Sequence, residues 1–145
     1  MRPAFSIALI LFLAMLGGCI YWSCKPVWQF NHLEQNARKV ITGAELQAWA
    51  TRLLDQYPTT ETNLVLVSQL HTNFPQQLRG LAPRLGPNVY VTYYDTNKTP
   101  FVELSWSSGF FGDTGFYIGR TNFTMNAGFD KVCRAWQPGV YFFRR

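Results

Sequence analysis

Residues Trp106–Gly119 read WSSGFFGDTGFYIG, with glycines at 109, 112 and 115 and aromatics between them. Such a stretch is either a loop that cradles a phosphate or the turn of a hairpin, and the choice decides the fold. A phosphate-binding glycine loop opens a helix, so that backbone N–H groups and the helix N-terminus face the anion. Here the flanks are strand-like. Pro100–Trp106, PFVELSW, alternates Val102, Leu104 and Trp106 against Phe101, Glu103 and Ser105. Gly115–Arg120, GFYIGR, alternates Phe116 and Ile118 against Tyr117 and Gly119. No Lys-Ser or Lys-Thr follows the last glycine. The stretch therefore reads as a hairpin turn, whose glycines take positive φ or let aromatic rings lie over bare backbone. Phe110 and Phe111 then stand at a loop tip, a common place for binding residues.

The same period of two extends outward. Asn88–Asp95, NVYVTYYD, and Gly139–Arg145, GVYFFRR, alternate in the same way, and the stretch around Lys131–Trp136 is a further strand candidate. Short strands with short connections predict an antiparallel meander of about four strands. One alternation set comprises Val89, Val91, Val102, Leu104, Phe116, Ile118, Val140 and Phe142, a core face. The other holds Tyr90, Tyr94, Glu103, Tyr117, Tyr141 and Phe143 beside Thr92 and Ser105. Tyrosine suits a half-wet surface, because the ring packs and the hydroxyl still finds a partner. Tyr90, Tyr94, Tyr117 and Tyr141 are thus candidate binding residues, for a protein or a glycan. The alternative is that segment 121–136 folds back and makes this face a second core.

Upstream of Pro87 the period is helical. Residues 30–41, FNHLEQNARKVI, place Phe30, Leu33, Ala37, Val40 and Ile41 on one stripe. Thr42 with Glu45 three residues on reads as a capping box that starts a new helix. Leu46, Trp49, Ala50, Leu53, Leu54 and Tyr57 follow at spacings of three and four, until Pro58. Residues 63–70 suit either a short strand or an irregular packed segment, and Pro75–Leu81 one or two helical turns opened by proline. Helices first and strands after predict an α+β domain, with two N-terminal helices on one face of the sheet.

The chain begins MRPAFSIALILFLAMLGGCIYWSCKP, with an uncharged apolar run from Ala4 to Trp22. Its length suits a membrane span, with Tyr21 and Trp22 at the interface and Lys25 beyond. Leu16-Gly17-Gly18-Cys19 also resembles a bacterial lipobox, which implies cleavage before Cys19 and lipidation of that cysteine. Residues 1–25 are accordingly expected to be a membrane anchor or lipoprotein signal, set off by Pro26. Residues 26–145 are expected to form a single extracytoplasmic domain. Export permits a disulfide between Cys24 and Cys133, against the alternative of two free thiols.

The net charge of +5 is spread without a basic run, which argues against a nucleic-acid partner. The two histidines, His32 and His71, have no partner at metal-ligand spacing, so neither a metal nor a cofactor is expected. Catalysis has two thin candidates. Cys133 with His71 would be nucleophile and base, but Cys133 does not read as a helix start. Glu103 and Asp113 are the acids nearest the aromatic region, where paired carboxylates could cleave a glycoside. Their plainer reading is a solvated strand residue and a turn-forming aspartate. The sequence therefore predicts a membrane-tethered extracytoplasmic binding or structural domain of the cell envelope. A small envelope hydrolase acting on glycan or peptide is the alternative.

Overall fold

The computed structural model describes residues 3–57, 65–66, 74–81, 87–93, 99–107, 112–125 and 132–145. They divide into two compact units, Met1–His32 and Leu33–Arg145. Helix α1 runs Pro3–Val40 and belongs to both, and helix α2 runs Gly43–Gln56. The strands are β1 (Val65–Leu66), β2 (Asn88–Tyr93), β3 (Pro100–Ser107), β4 (Asp113–Gly119), β5 (Val132–Gln137) and β6 (Val140–Arg144). A 3-10 turn covers Gln76–Leu81, directly after Pro75. The architecture is α+β, as the change of period at Pro87 implies.

Helix α1 continues through Pro26, contrary to the expectation that this proline separates two segments. An interior proline removes one helix hydrogen bond, at a cost of ~3 kcal/mol. Helix-forming sequence on both sides outweighs that loss. The helix ends before Thr42, where a new start signal takes over. The Thr42 hydroxyl accepts from the Glu45 N–H at 3.2 Å, and Glu45 Oε2 accepts from the Thr42 N–H at 2.8 Å. Of the stripe read in α1, Phe30, Leu33, Ala37 and Ile41 are buried while Val40 is exposed. In α2, Leu46, Trp49, Ala50, Leu53 and Leu54 are buried and Tyr57 is exposed. Helix α2 packs across β3 and β4.

All pairings in the sheet are antiparallel, in the order β1-β2-β3-β4-β6-β5. Ser107 pairs with Asp113, so the glycine-rich stretch joins two adjacent antiparallel strands. Gly112 has φ +83° and lies against the Arg145 carbonyl, where a Cβ would collide. The expectation of about four strands falls short. Among the described residues there are five strands of five to eight residues, with β1 as a two-residue addition. The meander also breaks after β4. The chain passes to the far edge as β5 and returns as β6 between β5 and β4. The Pro138-Gly139 turn permits this return, because Gly139 sits at φ +82°, the value a type II turn needs after proline.

Every member of the first alternation set is buried: Val89, Val91, Val102, Leu104, Phe116, Ile118, Val140 and Phe142. Gln47 fastens α2 to this sheet, its Nε2 donating to the carbonyls of Gly119 at 3.0 Å and Pro138 at 3.1 Å. The Leu33–Val40 part of α1 is fastened through Glu34, which accepts from Arg38 and from Arg134 of β5, each at 3.1 Å. The Arg38 guanidinium lies 5.2 Å from the ring centres of both Trp136 and Phe142.

Candidate functional site

The second face of the sheet carries the sequence-nominated residues, and strand register sets their order. Tyr90, Glu103, Tyr117 and Tyr141 form one row across β2, β3, β4 and β6. The next row runs Asn88, Ser105, Gly115, Phe143 and Cys133. Phe101, opposite Gly119, begins a third.

Part of this face is a small second core. Phe101, Tyr117, Phe123 and Phe143 are buried together, with Met125 and Tyr141 packed against them. The Phe101 and Phe123 rings stack at 5.0 Å, and those of Tyr117 and Phe143 at 4.1 Å. Phe123 comes from beyond β4. The turn Phe123 N–H to Arg120 carbonyl, 2.8 Å, brings the chain back over the sheet. Gly119 leaves the space its ring fills, since a Cβ there would collide with the Phe123 side chain. Tyr141 fixes the fold-back by donating its hydroxyl to the Phe123 carbonyl at 3.2 Å. Tyr117 is therefore 2% exposed, inside this cluster rather than on a wet surface. Tyr141 is half-buried, and so is Tyr90 at the other end of the row. Tyr94, Phe110, Phe111 and His71 lie outside the described residues.

Beside the aromatics sits a charge cluster that pattern reading missed. Glu103 is 6% exposed, not solvated. Its Oε1 accepts from Arg145 Nη2, and the same nitrogen lies 3.5 Å from Asp113 Oδ2. The guanidinium also lies 5.1 Å from the Phe143 ring centre. The Arg145 pKa is raised. Burial, the largest single influence, pulls it down, but the charges of Glu103, Tyr117 and Asp113 together with the Glu103 hydrogen bond outweigh burial. A buried carboxylate is tolerated when paired and hydrogen-bonded, which is the condition Glu103 meets. Its sequence signal was a charge set between Val102 and Leu104 of a strand. The partner lies 42 residues away and could not be inferred from spacing.

Cys133 is half-buried in β5, and Cys19 and Cys24 are exposed on α1. Cys24 belongs to the Met1–His32 unit and Cys133 to the Leu33–Arg145 unit. Cys133 takes the strand position opposite Phe143. Among the described residues no cluster of His, Cys, Asp and Glu could hold a metal ion. The buried indole nitrogens of Trp49 and Trp106 find no hydrogen-bond partner among the described residues.

The other nominated region is the N-terminal helix. Over Ile7–Val40 it is long and apolar enough to cross a membrane. Its large side chains between Ile7 and Trp22, among them Ile10, Phe12 and Met15, are exposed. No family model matches the chain, and no curated protein or solved structure is significantly similar to it.

Proposed function

We propose that this protein is a membrane-tethered domain displayed outside the cytoplasm, acting by binding a protein or glycan partner or by building envelope structure. One observation carries the tether. The apolar side chains from Ile7 to Trp22 stand exposed on α1, and a contiguous exposed apolar surface of more than a few hundred Å² marks a membrane or interaction site. Water does not stabilise such a helix, whereas a hydrocarbon layer does. The lipobox-like Leu16–Cys19 and the weakly basic start support export. Arg38 and Lys39 lie beyond the run and count for the opposite orientation. Orientation is therefore the quantity to measure.

The binding reading draws on Tyr90, half-buried on the second face, together with Tyr94, Phe110 and Phe111, which the sequence nominates. A hydrolase working through Glu103 would need that carboxylate freed from its ion pair. A general acid must reach the leaving oxygen of a substrate, and Glu103 is buried and engaged by Arg145.

The test places a single cysteine on α2, Ala44→Cys, in a chain with Cys19, Cys24 and Cys133 changed to Ser. A membrane-impermeant maleimide is applied to intact cells. Labelling before lysis is the expected result. Labelling only after lysis would overturn the outward orientation.

A further inference from the structure

We infer that α1 leaves the bilayer leaning on one side, with Tyr21, Lys25 and Trp28 seated in the lipid headgroup layer. The inference rests on the membrane tether proposed above and adds the side of the helix and the lipid layer it meets. Tyr21, Lys25, Trp28 and His32 are spaced four, three and four residues apart. At 100° per residue they fall within an arc of about 60°. Tyr21 is 64% exposed and Trp28 65%, although Trp28 stands well beyond the uncharged run. A large aromatic left in water gains nothing from packing, whereas Trp and Tyr gain at the headgroup level. The stripe is continuous: the Trp28 and His32 rings are 5.1 Å apart. Lys25 Nζ lies 6.0 Å from the ring centre of Trp22, which flanks the stripe. Lys25 supplies the one charge that complements lipid phosphate, and its stem can lie along the apolar surface.

The lean follows from lengths. Ala4–Trp22 rises about 28 Å, close to the ~30 Å hydrocarbon thickness. Trp28 lies about 9 Å farther along the axis, whereas each headgroup layer is only about 5–7 Å deep. An upright helix would set Trp28 at the outer edge of the headgroups, where they meet water. A helix leaning towards the stripe keeps all three side chains in that layer. Interfacial anchors of this kind set tilt and rotation.

The test uses the full chain with Cys19, Cys24 and Cys133 changed to Ser, reconstituted in phosphatidylcholine vesicles. A bimane fluorophore is attached in turn to Tyr21→Cys, Trp28→Cys, Val27→Cys or Leu13→Cys. The vesicles carry a nitroxide either on the headgroup or deep in the acyl chain. Val27 is exposed but lies about 130° round the helix from the middle of the stripe. The headgroup nitroxide is expected to quench positions 21 and 28 several-fold more than position 27. The deep nitroxide is expected to quench position 13. Equal quenching at 27 and 28, with 13 still quenched from the deep layer, would overturn the one-sided seat and leave the tether standing. Absence of quenching at 13 by the deep nitroxide would overturn both.

Discussion

Glu103 and Asp55 are both acids paired with arginine, and their surroundings separate them. The Asp55–Arg120 contact is 2.6 Å, with both side chains more than half exposed. Water screens such a pair, and its worth is ~0–1 kcal/mol. Glu103 is buried, and its side chain depends on Arg145. Removing one member of a fully buried pair costs ~3–5 kcal/mol. Arg145 is 42% exposed, so Arg145→Ala is expected to cost about 1–3 kcal/mol, between the two limits. Arg120→Ala should stay within about 0.5 kcal/mol of the parent. Urea melts of the two variants compare them directly, and equal losses would contradict the account of Glu103. Glu103→Leu with Arg145→Leu should recover part of the loss, since replacing both partners avoids an unpaired buried charge. At this scale the sequence was a partial guide. Val89, Val102 and Phe116 announced their burial through alternation, because side-chain direction in a strand is fixed by position. Glu103 did not. Alternation says which face a residue occupies, but not what arrives later in the chain to cover it.

Helix α2 is the element whose sequence and structure agree most fully, from the Thr42–Glu45 cap to the Leu46–Leu54 stripe. Trp49 is buried and meets Phe74 edge-on at 5.7 Å. Trp49→Ala is expected to cost ~3–5 kcal/mol, the range for emptying a core aromatic site. Trp49→Phe keeps a ring and removes a buried N–H without a described partner, so its cost should stay below about 2 kcal/mol. Paired urea melts separate the two, and a Phe variant as damaged as the Ala variant would contradict this placement. The cap gives the element a pH dependence. The Glu45 carboxyl is held below its ordinary value of 4.5, chiefly by the Thr42 backbone hydrogen bond and then by the Thr42 hydroxyl. A lowered folded value means that the stabilisation is present above the unfolded value and is lost as pH falls through the folded one. The parent should therefore exceed Glu45→Gln in stability at neutral pH, and the gap should close as pH falls below 4.5. A gap that widens on acidification would contradict the cap. Other elements were harder to read. Pro26 suggested a break, yet an interior proline weakens a helix without ending it when both flanks favour helix. Strand β5 was blurred by the irregular pairing between Ala135 and Gln137. Its plainest signal was Pro138-Gly139, a turn dipeptide that punctuates the chain between Gln137 and Val140.

At the scale of the molecule, the sheet has two unequal faces. The first lies beneath α2 and the Leu33–Val40 part of α1. The second is partly closed by the Arg120–Met125 fold-back, so a single ring, Phe123, serves as its main cover. Phe123→Ala is accordingly expected to cost ~3–5 kcal/mol, as for any buried aromatic. A loss below about 0.5 kcal/mol in a urea melt, typical of surface changes, would mean that the second face is not a core. The α+β class was legible because the hydrophobic period changes at Pro87, and period reports secondary structure directly. A binding face was not legible, since it would depend on which tyrosines the later chain leaves uncovered. The central claim is the tether, and the most direct measurement is the membrane partition of the full chain after alkaline carbonate extraction. Intact mass is measured in parallel for the parent and for Cys19→Ser. The chain is expected in the membrane pellet, with an unchanged full-length mass if α1 spans the bilayer, or a shortened, lipid-bearing mass lost in Cys19→Ser if Cys19 is lipidated. Recovery of the intact, unmodified chain in the soluble fraction would contradict the tether.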